Sequence, residues 1–139
     1  IKIINIMYIT RRERFASAHN LVNTQLTKED NMKLFGKCYN IHGHNYELFV
    51  TVTGHIKKTS GFVMDLKDLK EIIRNKVINK LDHNNINDID FMKGKITTTE
   101  NLCIAIWNEI SEPISKLGAQ LYKIKIKETE NNSFEYLGK

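Results

Sequence analysis

Three histidines in this sequence have the spacing of metal ligands. His42 and His44 stand one residue apart in Cys38-Tyr39-Asn40-Ile41-His42-Gly43-His44. On a strand, residues i and i+2 share a face, close enough to bind one ion. Gly43 between them admits a close backbone neighbour. His19 closes a second strand-like run, Phe15-Ala16-Ser17-Ala18-His19, where it shares a face with Phe15 and Ser17. If the two runs pair, three neutral imidazoles converge with a fourth position open. That is the donor set of a catalytic zinc ion (Zn2+) rather than of a closed structural one. Such an ion polarises a substrate oxygen or acidifies a bound hydroxyl.

Other groups could move protons beside it. Cys38 lies four residues before His42, among Gly36, Lys37, Tyr39 and Asn40, a setting that predicts a partly exposed thiol. A nearby cation and Lys37 would favour its thiolate, which could act as base or nucleophile. Asp82-His83 places a carboxylate where it can fix an imidazole's tautomer and orientation. Glu128 follows Ile124 and Ile126 in alternation phase, so it falls on the inward face and needs a partner there. A ligand with two adjacent N–H donors would suit it. Cys103, among Leu102, Ile104, Ala105 and Ile106, is expected in the core, and His55, in a lysine-rich turn, in solvent.

These groups need a frame. Ile1 to Thr10 has the pattern of a strand, and Leu21 to Lys37 that of a long polar loop with a helical turn after Thr27. A second strand is predicted from about His42 to Thr53, rich in β-branched and aromatic residues. Asp65 is the expected N-cap of a helix whose stripe is Leu66, Leu69, Ile72, Ile73, Val77 and Leu81. A loop to Lys95 leads to a second helix. Thr97-Thr98-Thr99-Glu100 forms its capping box and Pro113 limits its end. Leu121 to Glu128 alternates as a half-buried strand, and Ser133 to Leu137 is a short final one. The order implies an α+β fold, an antiparallel sheet with two helices on one face.

Composition bounds the rest. The chain has 139 residues, one proline and two cysteines, which predicts one domain spanning 1–139 and excludes a disulfide scaffold or a disordered chain. Free thiols fit a reducing, cytoplasmic setting. No run of apolar residues is long enough for a membrane span. The formal charge of +5 is spread along the chain, and no aromatic-basic motif for nucleic acid accompanies it. A chain this small must build a deep site from few residues or share it with another copy.

Taken together, the motifs resemble the 6-pyruvoyl-tetrahydropterin synthase / 6-carboxy-tetrahydropterin synthase family over nearly the whole chain. The segments that carry the resemblance are Phe15-Ala16-Ser17-Ala18-His19, Phe35-Gly36-Lys37-Cys38, His42-Gly43-His44-Asn45-Tyr46, Leu81-Asp82-His83-Asn84-Asn85, Thr98-Thr99-Glu100-Asn101 and Lys127-Glu128-Thr129. The resemblance implies the tunnelling fold, a four-stranded antiparallel sheet with two helices, assembling into trimeric barrels that stack as a homo-hexamer. It implies 7,8-dihydroneopterin triphosphate as substrate and zinc held by His19, His42 and His44. Cys38 would move protons at the substrate side chain, assisted by His83 with Asp82. Glu128 would grip the pterin ring, with Thr98, Thr99 and Glu100 in the pterin pocket.

Only three residues separate Cys38 from His42, which is similar to the bacterial 6-carboxy enzymes of queuosine biosynthesis. The expected product is therefore 6-carboxy-5,6,7,8-tetrahydropterin. The loop before Cys38, with Leu34-Phe35-Gly36-Lys37, looks more like the pyruvoyl type and keeps 6-pyruvoyl-tetrahydropterin as the alternative. The rival from another class is a pterin- or zinc-binding module without catalysis, against which the presence of Cys38 argues.

Overall fold

The computed structural model describes residues 5–139. Two long strands, β1 (Ile6–His19) and β2 (His42–His55), form an antiparallel pair whose register runs from Ile6 opposite His55 to His19 opposite His42. Along β1, Glu13, Phe15, Ser17 and His19 are buried in alternation, and along β2 Tyr46, Leu48, Val50 and Val52 lie beneath the helices. Period-2 patterning therefore sends both histidine runs to the same, inner face.

Three shorter strands complete the sheet, β3 (Asn84–Asn85), β4 (Gln120–Lys127) and β5 (Ser133–Tyr136), in the order β3-β1-β2-β4-β5. Asp65 caps α2 (Leu66–Ile73) by accepting from the Lys67 N–H. A π-helical turn (Arg74–Ile78) and α3 (Asn79–Leu81) continue it. Leu69, Ile73, Val77 and Leu81 are fully buried along that stretch. The long helix α4 (Thr99–Lys116) buries Leu102, Ile106, Ile110 and Ile114 against the sheet. Full burial of such a side chain contributes about 1.5–3 kcal/mol.

The architecture is α+β as expected, with several differences of detail. The sheet has five strands and is mixed, because β3 runs parallel to β1 at Ser17–Asn84 and Ala18–Asn85. The expected first strand begins within residues 1–4, outside the described residues, and the rest of it is continuous with the Phe15–His19 run. The predicted loop holds a true helix, α1 (Lys28–Phe35), with Thr27 as N-cap. The cap of α4 is Thr98, whose hydroxyl accepts from the Asn101 N–H, and not Thr97. Pro113 lies inside α4, which runs on to Lys116. Finally, β4 does not alternate strictly. Lys123 faces Thr51 while Leu121 faces Val52, so Tyr122 is an extra, bulged residue that returns Leu121 to the inner face.

Candidate functional site

Pairing of β1 with β2 brings the three histidines together where His19 ends one strand and His42 begins the other. One ring nitrogen from each of His19, His42 and His44 lies within 4.8 Å of the others. Backbone carbonyls orient two of the rings. His19 Nδ1–H donates to the Thr97 carbonyl at 2.8 Å, and His42 Nδ1–H to the Asn40 carbonyl at 2.7 Å. A carbonyl only accepts, so both Nδ1 atoms carry the proton and both Nε2 atoms keep a free lone pair. His19 Nε2 is buried with no hydrogen-bond partner. An orphaned imidazole lone pair beside two further imidazoles fits a cation. Burial lowers the pKa of His19 and His44 from the ordinary imidazole value, which favours the neutral form that can ligate. Gly43 suits the same pairing, since a Cβ there would stand 3.2 Å from the Ser17 carbonyl oxygen, a tighter approach than most side chains meet.

Cys38 sits in a 3-10 turn (Gly36–Tyr39) and is exposed, whereas Cys103 is buried and its thiol is pushed up to about 12. The Cys38 carbonyl accepts from the Leu21 N–H at 2.8 Å, which lays this turn against the segment just after His19.

Asp82 and His83 leave the end of α3 and dock on Ala16 of β1. Ala16 N–H donates to Asp82 Oδ1 at 2.9 Å, and His83 N–H donates to the Ala16 carbonyl at 2.6 Å. The first of these bonds, aided by His83, holds the Asp82 carboxyl below the usual carboxylate range. Asp82 Oδ2 pairs with His83 Nδ1 at 3.0 Å. His83 takes a left-handed backbone, φ 62°, the single non-glycine residue with positive φ among those described. Its ring is 83% exposed and lines a cleft of about 470 Å³ floored by Ala16, Ala18, Gly43 and His44. Among the described residues no hydrogen bond or ion pair joins His83 to Cys38.

Glu128 lies one residue beyond β4, half-buried, and accepts a hydrogen bond from the Thr99 hydroxyl. It lines a second cleft of about 390 Å³ with His44, Lys127 and Thr129. Thr99 and Glu128 thus belong together. Thr98 serves as a helix cap, and Glu100 is exposed in the first turn of α4.

Sequence reasoning assigned no site role to four contributors. The Thr97 carbonyl fixes the His19 tautomer, but a backbone group leaves no trace in side-chain type. Asn20 and Asn87 bond to each other beside His19. Tyr46 continues the His42, His44 alternation, which was the available signal. Its ring stacks on Phe15 with centroids 4.7 Å apart and meets the edge of His44 at 5.4 Å. Its hydroxyl is buried without a partner, and burial raises its pKa.

Known proteins match this chain along most of its length. Residues 8–139 fit the family profile described as 6-pyruvoyl tetrahydropterin synthase. The chain is 47% identical over 131 residues to a 6-pyruvoyl tetrahydrobiopterin synthase of Dictyostelium discoideum, covering 94% of this chain and 95% of that one. The solved structure of the Caenorhabditis elegans 6-pyruvoyl tetrahydropterin synthase shares the fold with a TM-score of 0.89 at 35% identity, covering 100% of both chains. A putative 6-carboxy-5,6,7,8-tetrahydropterin synthase of Archaeoglobus fulgidus is 36% identical over 95 residues, covering 68% of this chain and 74% of that one. The relatives therefore favour the pyruvoyl alternative over the carboxy product expected from the Cys38–His42 spacing. In this chain the three intervening residues close the 3-10 turn and lead into β2.

Proposed function

The chain belongs to the 6-pyruvoyl tetrahydropterin synthase family, and from that membership we propose that it is a zinc-dependent lyase forming 6-pyruvoyl-tetrahydropterin from 7,8-dihydroneopterin triphosphate. The observation that carries this reading is the cluster of three imidazoles, one of them with a buried and unpartnered Nε2, next to the cleft that Glu128 lines. His19, His42 and His44 would hold the zinc ion. When bound, it supplies the Lewis acidity that acidifies a C–H bond beside a polarised substrate oxygen.

The chain's own residues do the rest. Glu128 accepts two N–H donors from the pterin ring, a charge-assisted bidentate contact, while Thr99 steadies one carboxylate oxygen. The Cys38 thiolate removes a proton from the substrate side chain. The electron pair left behind forms a double bond as triphosphate departs. His83, held by Asp82 and Ala16, returns a proton to the side chain, and an internal shift of the two hydrogens of the remaining carbinol to the ring C=N bond leaves a diketone side chain on a tetrahydropterin ring. His83 has a left-handed backbone, and its exposed ring lines the cleft. In this reading residues 1–139 act as one domain in the cytoplasm, and copies assemble as a homo-hexamer. Among the described residues no helix is long and apolar enough to cross a membrane.

Product analysis tests the proposal. Zinc-loaded protein incubated with 7,8-dihydroneopterin triphosphate should release inorganic triphosphate and a product with the mass of 6-pyruvoyl-tetrahydropterin. Acetaldehyde and the 6-carboxy mass would contradict the pyruvoyl assignment. Absence of triphosphate release at full zinc occupancy would contradict the lyase reading as a whole.

A further inference from the structure

Asn20 follows His19 directly, and three segments meet on it. The carboxamide of Asn87 takes both of its backbone groups. Asn20 N–H donates to Asn87 Oδ1 at 3.0 Å, and Asn87 Nδ2 donates to the Asn20 carbonyl at 3.0 Å. Asn87 is itself fixed, its N–H donating to Asn85 Oδ1 at 2.9 Å, and Asn85 belongs to β3, paired to β1 at Ala18. Thr97 Oγ1 donates to the same Asn20 carbonyl at 3.2 Å, while the Thr97 carbonyl holds His19 Nδ1. In the other direction, the Asn20 side chain donates to the Tyr39 carbonyl at 3.3 Å, one residue past Cys38. The next residue, Leu21, holds the Cys38 carbonyl.

Three consecutive residues therefore tie the metal centre to the thiol: His19 ligates, Asn20 is gripped by Asn87 and reaches Tyr39, and Leu21 anchors Cys38. We propose that Asn20 and Asn87 are positioning residues that set the distance between the ion held by the three histidines and the Cys38 sulfur. The proposal rests on the reading of Cys38 as the base. Cys38 is exposed on a 3-10 turn between α1 and β2, where the Leu21 N–H and the Asn20 side chain hold the carbonyls of Cys38 and Tyr39. A base acts within about 3 Å of its proton, and a misplacement of about 1 Å can cost about 100-fold in rate. The carboxamide suits the task because it carries a donor and an acceptor on one edge, matching the N–H and carbonyl of a single residue.

The test compares the parent with Asn20→Ala, Asn87→Ala and Asn87→Asp, the last keeping the acceptor but losing the donor. Each is measured for bound zinc, for kcat and KM, and for the rate of alkylation by iodoacetamide with and without zinc. Cys103 is buried and does not compete in the alkylation. The parent should show an alkylation rate that zinc changes several-fold. Asn20→Ala and Asn87→Ala should keep zinc, lose about 10-fold or more in kcat with KM within about 3-fold, and show an alkylation rate that no longer responds to zinc. Asn87→Asp should fall between, and it carries the comparison if an alanine variant does not fold. Parent-like kcat and zinc response in folded, zinc-loaded variants would overturn the proposal, as would a parent thiol indifferent to zinc. If the parent alkylates as expected but releases no triphosphate, the functional reading fails while the positioning role stands.

Discussion

At the scale of single residues, the proposed roles separate metal binding from proton transfer. Cys38 lies outside the cluster of three imidazole nitrogens, so Cys38→Ala should retain zinc while kcat falls by about 100-fold or more. Metal analysis alongside steady-state rates checks this, and loss of zinc from the variant would make Cys38 a ligand instead. Glu128 should act in binding. Glu128→Gln keeps the shape and the Thr99 contact but removes the charge, with an expected rise in KM of about 10-fold or more from the weakened hydrogen bonds. A change confined to kcat would assign Glu128 to the chemistry. Most of these residues were legible in the sequence because the strand period is two. Spacing alone put His42 with His44, and the shared face of Phe15, Ser17 and His19 pointed to a strand that could meet them. The Asp82–His83 pair was legible as adjacent residues, but its docking on Ala16 through backbone groups was not.

At the scale of elements, the helix that delivers Asp82 and His83 is tied to β1 by an ion-pair cluster. Glu13, buried on β1, meets Arg11 at 3.3 Å and also Arg74 at the start of the π-helical turn. Burial alone would raise the Glu13 carboxyl, but the hydrogen bonds and charges of Arg74 and Arg11 together outweigh it and lower it from the ordinary 4.5. A lowered carboxylate contributes its full stability above the ordinary value and loses it as pH falls through the folded one. Glu13→Gln should therefore cost about 2 kcal/mol near neutrality, where it leaves Arg11 without its charge partner. The gap between variant and parent should narrow as pH falls below the ordinary 4.5 towards the lowered value. Chemical denaturation at several pH values measures both, and an equal gap at every pH would exclude the ion pair as the cause. Elements that sequence reasoning missed or read too short have identifiable reasons. Helix α1 buries only Asn31, so no apolar stripe marked it. It is held instead by the Thr27 cap and by Asn31, whose side chain bonds to the Asn23 and Thr27 carbonyls at 3.0 Å each. The strand β3 is two residues of asparagine and has no β-propensity to betray it. The bulge at Tyr122 hid because Leu121 and Ile124 are both apolar, and only the partner strand reveals the extra residue.

At the scale of the whole molecule, the chain leaves surfaces that a single copy does not cover. Beyond Ser17 and Ala18, the outer edge of β1 has no strand beside it among the described residues. Unpaired strand edges invite pairing with another chain. Met32, Leu34 and Ile41, near Cys38 in sequence, are 53%, 62% and 63% exposed. Both features suit the hexamer proposed for this protein. Sedimentation of the active protein should give about six times the 16.2 kDa chain mass, and full activity in a monomer would contradict the assembly. The family resemblance made that assembly an expectation, whereas the sequence pattern alone supplied only the smallness of the chain.

The central claim is that three histidines hold one zinc ion on which triphosphate elimination depends. Its most direct measurement is the rate of triphosphate release from 7,8-dihydroneopterin triphosphate as metal-free protein is titrated with zinc. The rate should rise from near zero to a plateau at one zinc per chain, with no rise in His19→Ala. Release that is already complete in the metal-free protein, or a fully loaded protein that releases nothing, would contradict it.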